Sequence, residues 1–252
     1  MRSLQEVRVE NWVQTRRTGF HKQYTVTDFD RGILRDAAAS LGLSSYLTLH
    51  PSWMYQDLQP FWTMHEGLGW LEQRLAFGCL SPPKLEGLTL PEKFVAVRFY
   101  FRPTFPATPQ TVSFCQATVE KIAKQYPVVV IESGVHADDH ADVPIKPSER
   151  VIRLRDLVPM TPENNLAIQS AVLGKASACI GTYGGMTQYA SAIGLPTIAV
   201  YDQWHSVALA HRQLSEWMAM RRGVPFHVLK IGELGLFQSL LPTAQVVLQS
   251  SS

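Results

Sequence analysis

The sequence contains little cysteine and no long hydrophobic run, and its first residues do not resemble a signal peptide. Its three cysteines are widely spaced and lie in apolar settings: Cys79, Cys115 and Cys179. Because their number is odd and their spacing does not suit a metal site, we expect reduced core thiols in a cytoplasmic protein. No stretch approaches the roughly 18 apolar residues of a membrane helix, and the first residues lack the apolar core of a signal peptide. The sequence therefore predicts a soluble protein, with peripheral membrane contact left open.

An excess of basic charge is also lacking. Lysine and arginine total 23 against 21 acidic residues, and the longest basic runs are the pairs Arg16-Arg17 and Arg221-Arg222. This balance argues against nucleic acid as a partner. With 252 residues, of which 46% are hydrophobic, the chain can bury a sizeable core in one or two domains.

Strand and helix patterns alternate through the second part of the chain, residues 91–252. Predicted strands are 94–99, 128–132, 151–154, 178–180, 197–201 and 226–229, and predicted helices are 108–125, 161–173, 186–193, 206–221 and 231–241. The helix at 161 is expected to begin with Thr161 as its N-cap, followed by proline. Such alternation predicts a Rossmann-like, doubly wound parallel sheet with right-handed crossovers.

The first part, residues 1–90, is less regular and predicts a short, incomplete α/β segment. Its predicted elements are a helix at 30–41 that ends at Gly42, a strand at 46–49, and aromatic-rich helices at 53–62 and 64–77. Prolines in 81–91 are typical of a linker, so we place the domain boundary near residue 90.

A glycine turn separates the predicted strand at 178–180 from a short helix. Gly181, Gly184 and Gly185 would let backbone N–H groups approach a ligand, and a helix N-terminus carries about half a positive charge. Glycines also mark ordinary tight connections, but this turn follows the carboxyl end of a strand, where ligands of open α/β sheets bind. The turn predicts a site for a phosphorylated small molecule.

A family resemblance is carried by residues 169–171 and by the stretch CIGTYGGMTQYASAIGLPTIAVYD. Together they resemble the nucleotide-sugar-binding, C-terminal half of GT-B glycosyltransferases, most of all the bacterial heptosyltransferase type. In that type the turn carries an acid, a serine, a glycine and, three residues later, a histidine. Tyr183, Gly184, Gly185 and Gln188 stand at those places here, so the glycine is kept, the acid and the histidine are not, and the resemblance is to the wider GT-B class.

The resemblance implies a glycosyltransferase of polysaccharide biosynthesis that moves a sugar from a nucleotide-diphosphate donor to a saccharide or lipid-linked acceptor. It implies no metal and no cofactor besides the donor. The donor phosphates would lie on backbone N–H groups of the turn, with hydroxyl and amide side chains as further donors. The turn residues assigned to the donor are Thr182, Tyr183, Gly184, Gly185, Met186, Thr187 and Gln188.

Other candidates lie outside the turn. The resemblance places the nucleotide base against Leu157 and Val158, which could equally be core residues. Asp202, after the strand at 197–201, could bind a sugar hydroxyl. His50 is the candidate catalytic base, although a histidine can also simply cap a strand end.

Arg98 stands near the carboxyl end of an otherwise apolar strand. A buried guanidinium needs an anion, which would be either the donor diphosphate or an internal carboxylate such as Glu132. By contrast, a histidine and aspartate cluster between residues 136 and 142 lacks metal-ligand spacing and predicts a solvated loop.

The number of residues before the predicted sheet leaves open whether the protein is an active glycosyltransferase. About 90 residues precede the predicted sheet, which is too few for a complete acceptor domain. The alternatives to a glycosyltransferase are a catalytically silent nucleotide-sugar-binding module and a nucleotide-sugar epimerase of the same architecture.

Overall fold

The computed structural model describes residues 28–45, 57–75, 80–84, 87–132, 134, 140–161, 164–203 and 207–233. These residues fall into two compact units. One contains the described residues of 80–203 and 215–233, and the other those of 28–75 and 207–214. Cys79, His50, the predicted strand at 46–49 and the end of the predicted helix at 231–241 lie outside the described residues.

The strands confirm the expected Rossmann-like parallel sheet. In chain order they are β1 (Val95–Arg98), β2 (Tyr100–Phe101), β3 (Val128–Val130), β4 (Ala141–Asp142), β5 (Val151–Arg153), β6 (Ala178–Thr182), β7 (Thr197–Tyr201) and β8 (Phe226–Lys230). Six of them pair in parallel in the order β5-β3-β1-β6-β7-β8, while β2 and β4 form a small antiparallel pair. The central strands are buried on both faces, which is why they are almost continuously apolar.

In the described residues, three helices precede the first strand and five lie between strands. In chain order they are α1 (Asp28–Ser40), α2 (Gln59–Trp62), α3 (Leu68–Glu72), α4 (Pro109–Ala123), α5 (Leu154–Leu157), α6 (Asn165–Leu173), α7 (Gly185–Ala192) and α8 (Val207–Arg221). The predicted cap of α6 was wrong. The helix begins at Asn165, and Asn164 stands at the N-cap position without a side-chain hydrogen bond to the first turn. Its Oδ1 instead accepts from the Thr161 N–H at 2.7 Å.

The sheet separates two hydrophobic clusters. Alternate strand residues go to different clusters, as the period of two in a strand requires: Val128 and Val130 to one, Val129 to the other. Cys115 and Cys179 are buried, one in each cluster, and neither forms a disulfide. Burial raises the pKa of Cys179 to about 12 and also raises the pKa of Cys115, so both behave as the expected core thiols.

The second unit has its own small core. Phe61, Trp62, Leu71 and Ala210 are buried together, and the ring of His211 stacks on Trp62 with centroids 4.5 Å apart. Within the described residues, the aromatic-rich stretches contain the short helices α2 and α3. Among the described residues, no helix combines the length and the hydropathy needed to cross a membrane.

Candidate functional site

A cavity lies where the strand order reverses. If the six parallel strands alone are numbered in chain order, their order across the sheet is 3-2-1-4-5-6. The chain first adds strands on one side of β1 and then, starting with β6, adds strands on its other side. Ligands of open α/β sheets bind beyond the carboxyl ends of strands at such a switch point. Arg98 at the end of β1 is in register with Gly181 of β6, and the glycine turn follows directly.

The switch-point cavity has a volume of about 360 Å³, at the lower end of the range for small-molecule pockets. Three residues predicted from the sequence line it: Arg98, Gly185 and Met186. Five further lining residues were not predicted: Tyr100, His140, Leu166, Ser170 and Tyr189.

Arg98 is buried and has an internal carboxylate partner. Its Nη1 forms a short hydrogen bond to Asp142 Oδ1 and another of 3.3 Å to the carbonyl oxygen of Phe99. The guanidinium also lies 5.1 Å from the ring centroid of Tyr100. The internal partner suggested from the sequence, Glu132, was therefore the wrong carboxylate. The buried Arg98 Nε has no hydrogen-bond partner among the described residues.

Glu132 instead pairs with arginines that follow the neighbouring strand. Its Oε1 lies 2.8 Å from Arg155 Nε and 3.6 Å from Arg153 Nε. The side chain is only 3% exposed, and burial raises the pKa of Glu132, although the nearby Arg155 lowers it. Arg153 has a second partner, Asp156, at 2.7 Å.

The glycine turn is stabilised by its own hydrogen bonds. The N–H of Gly184 donates to Thr187 Oγ1 at 3.1 Å, and the Thr187 hydroxyl donates to the Gly184 carbonyl oxygen at 3.0 Å. The Gly184 N–H and the buried Thr187 hydroxyl are thus used within the turn. As the first residues of α7, Gly185 and Met186 have N–H groups without an intrahelical acceptor.

The other turn residues also have internal partners. Thr182 Oγ1 accepts from the Tyr100 N–H at 3.1 Å and donates to the Tyr100 carbonyl oxygen at 3.0 Å. Gln188 Nε2 donates to Tyr183 Oη at 3.3 Å, and burial raises the pKa of the Tyr183 hydroxyl. These contacts join the turn to β2 and to α7. The sequence pattern could not predict these contacts, because they form only when the folded chain brings the two residues of each pair together.

The remaining predicted residues lie away from the cavity. Leu157 is 41% exposed at the end of α5, and Val158 is half-buried against a core cluster. The N–H of Asp202 donates to the carbonyl oxygen of Thr104 at 2.9 Å. None of these three lines the switch-point cavity.

The prediction of a solvated loop at residues 136–142 was wrong for Asp142, the side chain of which is only 18% exposed. Asp142 belongs to β4, which pairs with β2, and its Oδ2 accepts from the Gly134 N–H at 3.0 Å. The ring of His140 packs edge to face on Tyr100, with centroids 4.7 Å apart. Among the described residues there is no cluster of side chains that could hold a metal ion.

No protein-family model, curated protein or solved structure matches the chain. Function is therefore inferred from the geometry and chemistry of the cavity. Its polar side chains are the guanidinium of Arg98, the imidazole of His140 and the hydroxyls of Tyr100, Ser170 and Tyr189. The guanidinium and the first N–H groups of α7 can only donate hydrogen bonds, and the hydroxyls can donate as well. Such a set of donors suits an anion.

Proposed function

We propose that the switch-point cavity binds the diphosphate of a nucleotide sugar, and that the chain is the donor-binding part of a GT-B-like glycosyltransferase. The observation that carries this proposal is the buried Nε of Arg98, which has no partner among the described residues although Arg98 lines the cavity. Buried polar atoms almost always have a partner, and one without it calls for an explanation such as a bound ion. A phosphate oxygen would supply that partner.

Directed hydrogen bonds, rather than net charge, would attract the ligand. Asp142 already neutralises Arg98, so the pair as a whole carries no charge. The Arg98 Nε–H and the first N–H groups of α7 supply the remaining attraction. In sugar transfer the diphosphate gains negative charge as it leaves, and preorganised donors of this kind stabilise the developing charge. His50 stays a prediction as the base that activates the acceptor hydroxyl.

The test compares three folded variants by calorimetry with nucleoside diphosphates. Arg98→Met/Asp142→Asn removes the donor without stranding the carboxylate, and it should weaken diphosphate binding about ten- to a hundredfold while leaving nucleoside binding intact. Asp142→Asn alone should tighten diphosphate binding, because it removes the competing carboxylate. Arg31→Met is the matched control, since Arg31 is exposed on α1 and does not line this cavity.

Unchanged diphosphate affinity in the double variant would remove Arg98 from the site. Failure of the wild-type chain to bind any nucleoside diphosphate would overturn the proposed ligand. Where a nucleotide sugar binds, release of free nucleoside diphosphate in the presence of saccharide or lipid-linked acceptors separates a transferase from a silent binding module.

A further inference from the structure

One side of the switch-point cavity is hydrophobic. We call Leu166, Met186 and Tyr189 the apolar wall; Leu166 lies on α6, and the other two lie three residues apart on α7. Residues spaced by three in a helix share a face, so Met186 and Tyr189 are presented to the cavity together. The donors of Arg98 line the same small volume.

We infer that the ligand carries an apolar or aromatic group close to its anionic group, and that the apolar wall binds this apolar group. The inference rests on the proposed function only for the anionic anchor. In about 360 Å³ there is room for one small group beside the anion. A sugar placed against Leu166 and Met186 would bury hydroxyls against side chains that form no strong hydrogen bonds, which is unfavourable.

Leu166 is the member of the apolar wall whose place in the cavity is not explained by packing in the core. Met186 and Tyr189 also pack against a core cluster, which accounts for their apolar character without a ligand. Leu166, in contrast, is 60% exposed although it lines the cavity. A bound apolar group would cover part of its exposed surface.

Two kinds of ligand share this chemistry. In a nucleotide the apolar group is the base, and in a lipid phosphate it is the hydrocarbon chain. The sequence had placed the base against Leu157 and Val158, which do not line the cavity. The apolar wall takes that role in the present inference.

The experiment measures binding of inorganic phosphate, phenyl phosphate and hexyl phosphate by calorimetry. The wild-type chain should bind phenyl or hexyl phosphate about tenfold more tightly than inorganic phosphate, as expected for a small buried apolar contact. Leu166→Ser should lose most of this preference and keep the affinity for inorganic phosphate. Met220→Ser is the matched control, because Met220 is 70% exposed on α8 and does not line the cavity.

A preference for phenyl phosphate supports the inference with a base as the apolar group, and a preference for hexyl phosphate supports it with a lipid chain. Equal wild-type affinity for all three probes overturns the inference, as does an equal loss for every probe in Leu166→Ser. If nucleoside diphosphates do not bind but the Leu166-dependent preference persists, the proposed function fails and the inference stands. If nucleoside diphosphates bind through Arg98 without any effect of Leu166, the inference alone fails.

Discussion

The two adjacent glycines of the turn differ in what a side chain would meet. A Cβ on Gly184 would lie 2.0 Å from Tyr100 Oη and 2.8 Å from Arg102 Nη1. A Cβ on Gly185 would have no atom within 4 Å, and Gly185 does not have a positive φ. We therefore predict that alanine destabilises the protein at Gly184 and not at Gly185.

The size of the effect follows from how Tyr100 is held. It is only 4% exposed, with the Arg98 guanidinium and the His140 ring against its ring, so it cannot move without disturbing both. Overpacking of this kind costs about 1–3 kcal/mol. At Gly185 alanine restricts the unfolded chain and should stabilise the protein by about 0.5–1 kcal/mol.

Urea unfolding of both variants checks the prediction, with the free energy of unfolding of Gly184→Ala expected to lie about 1.5–4 kcal/mol below that of Gly185→Ala. Gly69→Ala serves as the control for the backbone effect, because Gly69 lies in α3 and its Cβ would also meet nothing within 4 Å. Equal stability of the two turn variants, or a greater loss at Gly185, would refute the reasoning. A ligand-binding defect confined to Gly185→Ala would also fit its place in the cavity lining.

Two further predictions concern buried polar groups. Thr182→Val removes the hydroxyl that hydrogen-bonds with both the N–H and the carbonyl oxygen of Tyr100. It should lower the free energy of unfolding by about 1–3 kcal/mol in urea titrations. A loss below about 0.5 kcal/mol would contradict this. Burial raises the pKa of Glu132, so its ionisation costs stability as the pH rises through the folded-state pKa. Glu132→Gln should therefore gain stability relative to the wild type as the pH rises from the ordinary glutamate pKa of about 4.3 through the raised folded-state pKa, and a difference that does not change with pH would argue against the raised pKa.

The parallel sheet was predictable because its strands are short, apolar and separated by helical patterns. The predicted strand at 197–201 agrees with β7 in both bounds. Gly42 and Gly194 have positive φ after α1 and α7, as expected of residues that end helices. The N-terminus of α6 was less predictable, because threonine and asparagine are both favourable N-cap residues. In the structure the Asn164 side chain accepts from the Thr161 N–H and does not cap the first turn.

The site was only partly predictable. Arg98, Gly185 and Met186 line the cavity, and the sequence pattern could select them because Arg98 ends a predicted strand and the other two begin a predicted helix. Asp142 was missed because it lies 44 residues from Arg98, in a two-residue strand that has no hydrophobic pattern of its own. The glycine pattern likewise could not show that Tyr100, rather than a ligand, approaches Gly184.

The pairing of β1 with β6 places Arg98 at the end of the most central strands of the sheet. Central strands unfold locally less often than edge strands. The backbone hydrogen bonds of β1 and β6 are therefore expected to be among the last to break. A ligand therefore meets donors that are already ordered and loses little affinity to ordering them. Exposed positions such as Leu166 can change without disturbing that support. Substitution of Leu166 should thus change the proposed preference for an apolar group and leave the backbone that holds the proposed anion site intact.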